Sequence, residues 1–158
     1  MANTQSMCTS FMGELMTATH NFGTAPTRGT SATDSFKAAL YLVSATLNAS
    51  TTAYSATGEV SGTGYTAGGV AETAATAPTA TNASSTAGVA FFTPSASLVY
   101  TTVTLTTAFD TVLIYNSTQS NKAVSVHTFG SQTITAGTFT LTMPSNTTTT
   151  ALLRLATT

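Results

Sequence analysis

The order of apolar and polar positions divides the chain into a short helical start and a long β-rich remainder. Met7, Phe11, Leu15 and Met16 fall near one helical stripe, with Met12 and Ala18 beside it, which predicts a helix within residues 6–22. Glu14 and His20 lie off that stripe, and Asn21-Phe22-Gly23 is the expected stop. The helix is expected to pack on one edge of a sheet, or to act as an arm that docks on a neighbouring subunit. Residues 24–35 carry breaker residues throughout and read as a loop. Phe36 to Val43 alternates, which predicts a strand. Phe36, Ala38, Leu40 and Leu42 form its buried face, and Lys37, Ala39, Tyr41 and Val43 form the other.

The second half of the chain is patterned as short strands. Val89 to Phe92 is an apolar run, Leu98 to Thr106 alternates, and Ala108 to Tyr115 is almost continuously apolar. Asn116 to Asn121 is a polar turn, after which Lys122 to Phe129 alternates. Gly130-Ser131-Gln132 and Ala136-Gly137 are expected turns, with Phe139, Leu141 and Met143 on the next strand up to Pro144. Ala151 to Leu155 closes the chain as a final strand. Many short strands without βαβ alternation predict a mainly β chain. The expected architecture is an antiparallel β-sandwich or jelly-roll-like fold with a short N-terminal helix. Residues 1–23 form the helical segment or arm, and residues 24–158 form a single β domain.

One stretch stands out from this alternation: Glu59-Val60-Ser61-Gly62-Thr63-Gly64-Tyr65-Thr66-Ala67-Gly68-Gly69. Its glycines suit tight turns and close backbone approach. As a dinucleotide fingerprint it fails, because the third glycine is one place late and neither a striped helix nor a suitably spaced acid follows. The residues make better sense as a bulged strand end with Tyr65 packed as a plug. Residues 70–88 are a low-complexity Ala/Thr stretch, read as an extended strand on a partner or a surface loop.

Composition changes the picture from fold toward role. Charged residues make up 6% of the chain, against about a quarter in an average soluble domain. Threonine supplies about a quarter of the residues. A surface of Thr, Ser, Asn and Ala is wettable, yet few ions need desolvating when it meets another protein. The formal net charge of −1 gives little mutual repulsion. These properties describe a subunit that expects neighbours. Arg28, Lys37, Lys122 and Arg154 are scattered, which argues against binding nucleic acid or an anionic membrane. No apolar run has the length of a membrane span, and no signal peptide is visible, so synthesis in a cytoplasm is expected. Four glycosylation sequons are chance matches in so Thr-rich a chain.

Candidate chemistry is sparse. The acids are Glu14, Asp34, Glu59, Glu72 and Asp110, and the imidazoles are His20 and His127. None shares a metal-ligand spacing, and no serine-nucleophile motif occurs. Cys8 and His20 share a segment but lack an arranged carboxylate or amide partner, so Cys8 reads as a buried small hydrophobe. His127 reads as a half-exposed sheet residue. Lys122 is expected to be solvated, and Arg154 to point outward or, if buried, to pair with Asp110 or Glu59. No catalytic, cofactor-binding or metal-ligating residue is assigned.

Several segments together carry a family likeness. They are Cys8-Thr9-Ser10-Phe11, Phe36-Lys37-Ala38-Ala39-Leu40-Tyr41, the glycine-rich stretch, Leu113-Ile114-Tyr115-Asn116, Lys122-Ala123-Val124-Ser125-Val126, Gly137-Thr138-Phe139-Thr140-Leu141 and Leu152-Leu153-Arg154-Leu155-Ala156. In this order they resemble a family of small tailed-bacteriophage virion structural proteins. The likeness spans most of the chain, and the glycine-rich stretch is its most specific part. The departure lies at residues 70–97, where a more regular strand pair with an aromatic anchor is expected. The resemblance implies a virion component made in the host cytoplasm. Its first form is a non-enzymatic, homo-oligomeric capsid decoration or cement protein contacting the major capsid protein or other virion proteins. The alternative is a tail- or fibre-associated, receptor-binding subunit in which Tyr54, Tyr65, Tyr100 or Tyr115 stacks on sugars. A glycan hydrolase using Glu59 and Asp110 is the third class.

Overall fold

The computed structural model describes residues 2–16, 18–22, 34–72, 78–81 and 88–156. In chain order the elements are β1 (Ser6–Met7), α1 (Thr9–Met16), β2 (Phe36–Leu42), β3 (Val70–Ala71), β4 (Thr79–Thr81), β5 (Val89–Phe92), β6 (Leu98–Asn116), β7 (Lys122–Leu141) and β8 (Leu153–Ala156). They form a mainly β, sandwich-like arrangement of two antiparallel sheets, ordered β1-β7-β6-β2-β3 and β4-β5-β8. The expected fold class is therefore the observed one.

The helix is shorter than its stripe predicts. Ser6 and Met7 leave it to pair with Val126 and Ser125 of β7. At its other end Ala18 adopts φ 56°, while Ala18 N–H reaches Leu15 O and Thr19 N–H reaches Glu14 O. That pair of bonds is a Schellman cap, which satisfies two helix-end carbonyls ahead of the expected stop at Asn21-Phe22-Gly23. Phe22 is then free to enter the core, where it stacks on Phe36 at 4.4 Å.

β2 is buried on both faces, not one. It lies between β6 and β3, and from Ala38 to Tyr41 alternate residues feed different apolar clusters, while Phe36, expected on the face of Ala38 and Leu40, joins the cluster of Ala39 and Tyr41. Ala39 and Tyr41 join Cys8, Phe11, Phe22, Leu113, Tyr115 and Val126, together with Phe92 and Leu153 of the smaller sheet. Ala38 and Leu40 join Val112 and, from the far end of β6, Leu98, Tyr100, Val103 and Leu105.

The second cluster exists because the β6–β7 hairpin doubles back. The sequence pattern predicts separate strands here, but each arm is one unbroken element turning at Ser117–Asn121. The expected turns at 130–132 and 136–137 are bulges inside β7. Register shifts cluster between Tyr100 and Thr111, and Thr102 and Ala136 take positive φ. Bulges bend a strand and increase its twist without ending it. The bend carries Tyr100 back over the sheet, so that its hydroxyl donates to Ala38 O at 2.8 Å. Phe139 meets Phe109 edge-on at 5.2 Å. Of the low-complexity stretch, Val70–Ala71 and Thr79–Thr81 are edge strands, while 73–77 and 82–87 lie outside the described residues. Most of the 24–35 loop lies outside them too.

Ala18 is an exposed non-glycine residue in the left-handed region. Ala18→Gly should raise stability in urea by about 1 kcal/mol, because glycine has no Cβ clash there. An unchanged or lowered midpoint would contradict this reading of the cap.

Candidate functional site

The glycine-rich stretch is the most tightly organised part of the surface. Val60 N–H donates to Leu40 O, and Thr104 N–H donates to Thr63 O, so the stretch bridges β2 to the returning end of β6. Glycine is required by contact as well as by φ. A Cβ at Gly69 (φ 74°) would stand 1.7 Å from Ala38 O, and one at Gly64 (φ 79°) would stand 2.3 Å from Thr102 O. Both distances are inside van der Waals contact, so any side chain there must displace backbone.

Glu59 ties the stretch together. Its Oε1 accepts from the Tyr65 hydroxyl and from Gly68 N–H, both at 2.7 Å. Its Oε2 accepts from the Tyr54 hydroxyl at 2.7 Å. Tyr65 in turn accepts from Leu40 N–H at 3.0 Å, which fixes the loop to β2. Tyr115 donates to Gly68 O at 2.8 Å and stacks on Tyr54 at 4.8 Å. Tyr65 stacks on Tyr100 at 6.0 Å, and Tyr41 donates to Ser55 O. All five tyrosines of the chain are therefore engaged around this region. Burial, aided by hydrogen bonding to Glu59, pushes the Tyr54 phenol up to about 12, and burial pushes the other four above the ordinary range. The tyrosines expected to stack on sugars are instead internal parts: Tyr100 and Tyr115 are buried, and Tyr54 and Tyr65 are half-buried with their hydroxyls committed.

A second polar cluster was not legible from spacing. Glu14 lies 2.7 Å from His20 Nε2 and 2.6 Å from Lys122 Nζ. The expectation that His20 lacks carboxylate and amide partners is thus overturned. The cause is the early helix stop, which turns residues 19–22 back against α1. Thr118 and Gln119 N–H groups hold the Asn116 carbonyl, which turns its amide nitrogen toward His20 Nδ1 (3.0 Å) and Asp34 (2.7 Å). With an amide donor on Nδ1, the imidazole carries its proton on Nε2 and donates to Glu14. Burial opposes the Glu14 charge, but the bonds from Lys122 and His20 outweigh it and hold the carboxyl below its usual range. Lys122 is ion-paired, not merely solvated. Both ring nitrogens of His20 are engaged in these internal bonds, so neither is free to meet a substrate.

The remaining candidates stand apart. Asp110 accepts from Asn3 at 2.9 Å and from Thr111 at 2.7 Å, in a network separate from Glu59. Burial, and secondarily the Glu14 charge, push the Cys8 thiol up to about 11, so it is inert at neutral pH. His127 lies 2.9 Å from Ser125 Oγ, and burial pulls it down to about 4. Arg154 points outward, its Nη1 donating to Thr149 O at 2.8 Å. Among the described residues no three His, Cys, Asp or Glu side chains are grouped as metal ligands. Among the described residues no helix is long and apolar enough to cross a membrane. No family model, curated protein or solved structure matches the chain.

Glu72, and with it the Ser10 hydroxyl, departs from this satisfaction of polar groups. The Glu72 carboxyl is the charged case. It is buried at the end of β3, and neither carboxyl oxygen has a hydrogen-bond partner among the described residues. Burial pushes its carboxyl up to about 7. The folded chain thus holds a proton that the unfolded chain releases, so stability falls as pH rises from the ordinary carboxyl range through 7. Glu72→Gln should match the parent near pH 4 and exceed it at pH 8 by up to about 3 kcal/mol in denaturant unfolding. A stability difference that does not change with pH would contradict this environment.

Proposed function

We propose that the chain is a non-enzymatic structural subunit of a tailed-bacteriophage virion, in the form of a capsid decoration or cement protein. The observation that carries this reading is where the polar groups go. Glu14, Asp34, Glu59 and Asp110 are consumed in internal cross-links. The folded-back hairpin offers hydroxyls to water: Thr101, Thr106, Thr107, Thr133, Thr135 and Thr140 are all exposed. Chemistry needs polar groups free to meet a substrate, whereas assembly needs a rigid body with a surface that is cheap to dehydrate. The family resemblance supplies the setting in which such a body is used. Repeated contacts on a shell would resist internal pressure through apolar burial and shape fit, with few salt-sensitive pairs.

Quantitative imaging and mass spectrometry of intact particles should find hundreds of copies on the head. Occupancy should be nearly unchanged between low and high salt, since few ion pairs are available for screening. A dozen or fewer copies at the tail, or loss of the protein in moderate salt, would overturn the decoration reading.

A further inference from the structure

Strand edges are where sheet proteins gain partners, because each presents a row of unpaired N–H and C=O groups. The edges of the two long strands are covered unequally. The start of β7 is covered by β1, and the paired end of β6 is covered by β2, which is itself flanked by β3. The returning end of β6 is covered by the glycine-rich stretch through the Thr63–Thr104 bridge. Among the described residues, nothing pairs with the outer edge of β7 from Thr128 to Leu141.

Proteins usually guard such an edge with charge, proline or bulges. Residues 128–153 contain no ionisable side chain, and proline first appears at Pro144, beyond the strand. Bulges interrupt the edge up to Ala136. The run Gly137–Leu141 lies beyond these bulges; one further register shift, between Tyr100 and Val103 of β6, separates the Gly137 pair from Phe139–Leu141, which face Tyr100, Val99 and Leu98 in step. Its exposed face carries Thr138 and Thr140, while Phe139 and Leu141 pack inward on the second cluster.

We infer that the outer edge of Gly137–Leu141 pairs antiparallel with the same edge of a second copy of this chain, about a two-fold axis at Phe139. A copy of the chain is the occupant for two reasons. The edge offers no charge to recruit a foreign strand, and for the same reason self-juxtaposition brings no like charges together. The pairing is also self-complementary, as a two-fold contact must be. Thr138 falls opposite Thr140 of the other copy, a favourable cross-strand pair. Leu141 falls opposite Gly137, a large side chain against none. The two inner faces then continue from one copy into the next. This deepens the assembly reading, on which it rests for its purpose, by naming the contact between copies.

Light scattering and sedimentation of the purified full chain test it. The parent should be dimeric at tens of micromolar. Thr138→Lys with Thr140→Lys sets like charges opposite one another twice and should weaken association about tenfold or more. Thr138→Lys with Thr140→Glu sets opposite charges across the same axis and should restore the dimer. Both positions are exposed, and circular dichroism checks that both variants stay folded. A monomeric parent, or equal behaviour of the two double variants, overturns the inference. Particle occupancy is read separately: a monomer that still decorates particles sinks only the pairing, and a dimer absent from particles sinks only the virion reading.

Discussion

The bonded carboxylate of Glu59 is the interaction on which the arrangement depends. It gathers two tyrosine hydroxyls and one backbone N–H. Through Tyr65 it pins the glycine-rich stretch to Leu40 of the central strand. The stretch is then held between that strand and the returning end of β6, where Gly62 and Gly64 lie against the Thr104 and Thr102 carbonyls. Without a fixed loop there, the doubled-back hairpin would have an open edge on both sides of its outer half. A carboxylate bonded by several donors is worth more than neutral hydrogen bonds in the same place, and is costly to leave half-satisfied.

The folded-back hairpin follows from the same economy of charge. Two long strands cover both sides of the central strand's neighbourhood only by bending, and bulges supply the bend. Apolar side chains face inward on both halves, and threonine occupies the positions facing water. Ionic groups are few enough that nearly every acid is used within the fold. The surface left over is hydroxyl-bearing and uncharged, a combination that favours contact with other protein over recognition of ions.

Much of this was legible in the sequence. Alternation from Leu98 onward gave the β character, and Asn116–Asn121 marked the hairpin turn. The glycines were legible as close-approach positions, and Tyr65 as a plug, because few other residues tolerate such backbone. What stayed hidden depended on distant partners. Gly130 and Gly137 look like turn residues locally, and only the β6 register makes this segment a bulged strand. Ala18 carries no propensity for a left-handed cap, so the helix end was invisible. Lys122, Asn116 and Asp34 reach Glu14 and His20 from far along the chain, and spacing holds no record of that. Glu59 stood first in the glycine-rich motif, yet its tyrosine partners were spread over residues 54 to 65 without a recognisable period.

An internal lock surrounded by an uncharged, hydroxyl-rich exterior makes the chain, in the reading proposed above, a rigid piece of a larger assembly. That reading presumes that the motif acts as a structural clamp, with Glu59 occupied by its tyrosines. A double-mutant cycle between Glu59→Gln and Tyr65→Phe, followed by denaturant unfolding, tests the clamp most directly. A coupling of about 1.5–3 kcal/mol is expected, the range for a hydrogen bond to a charged group. Additive losses, with no coupling beyond the error of the cycle, would contradict it.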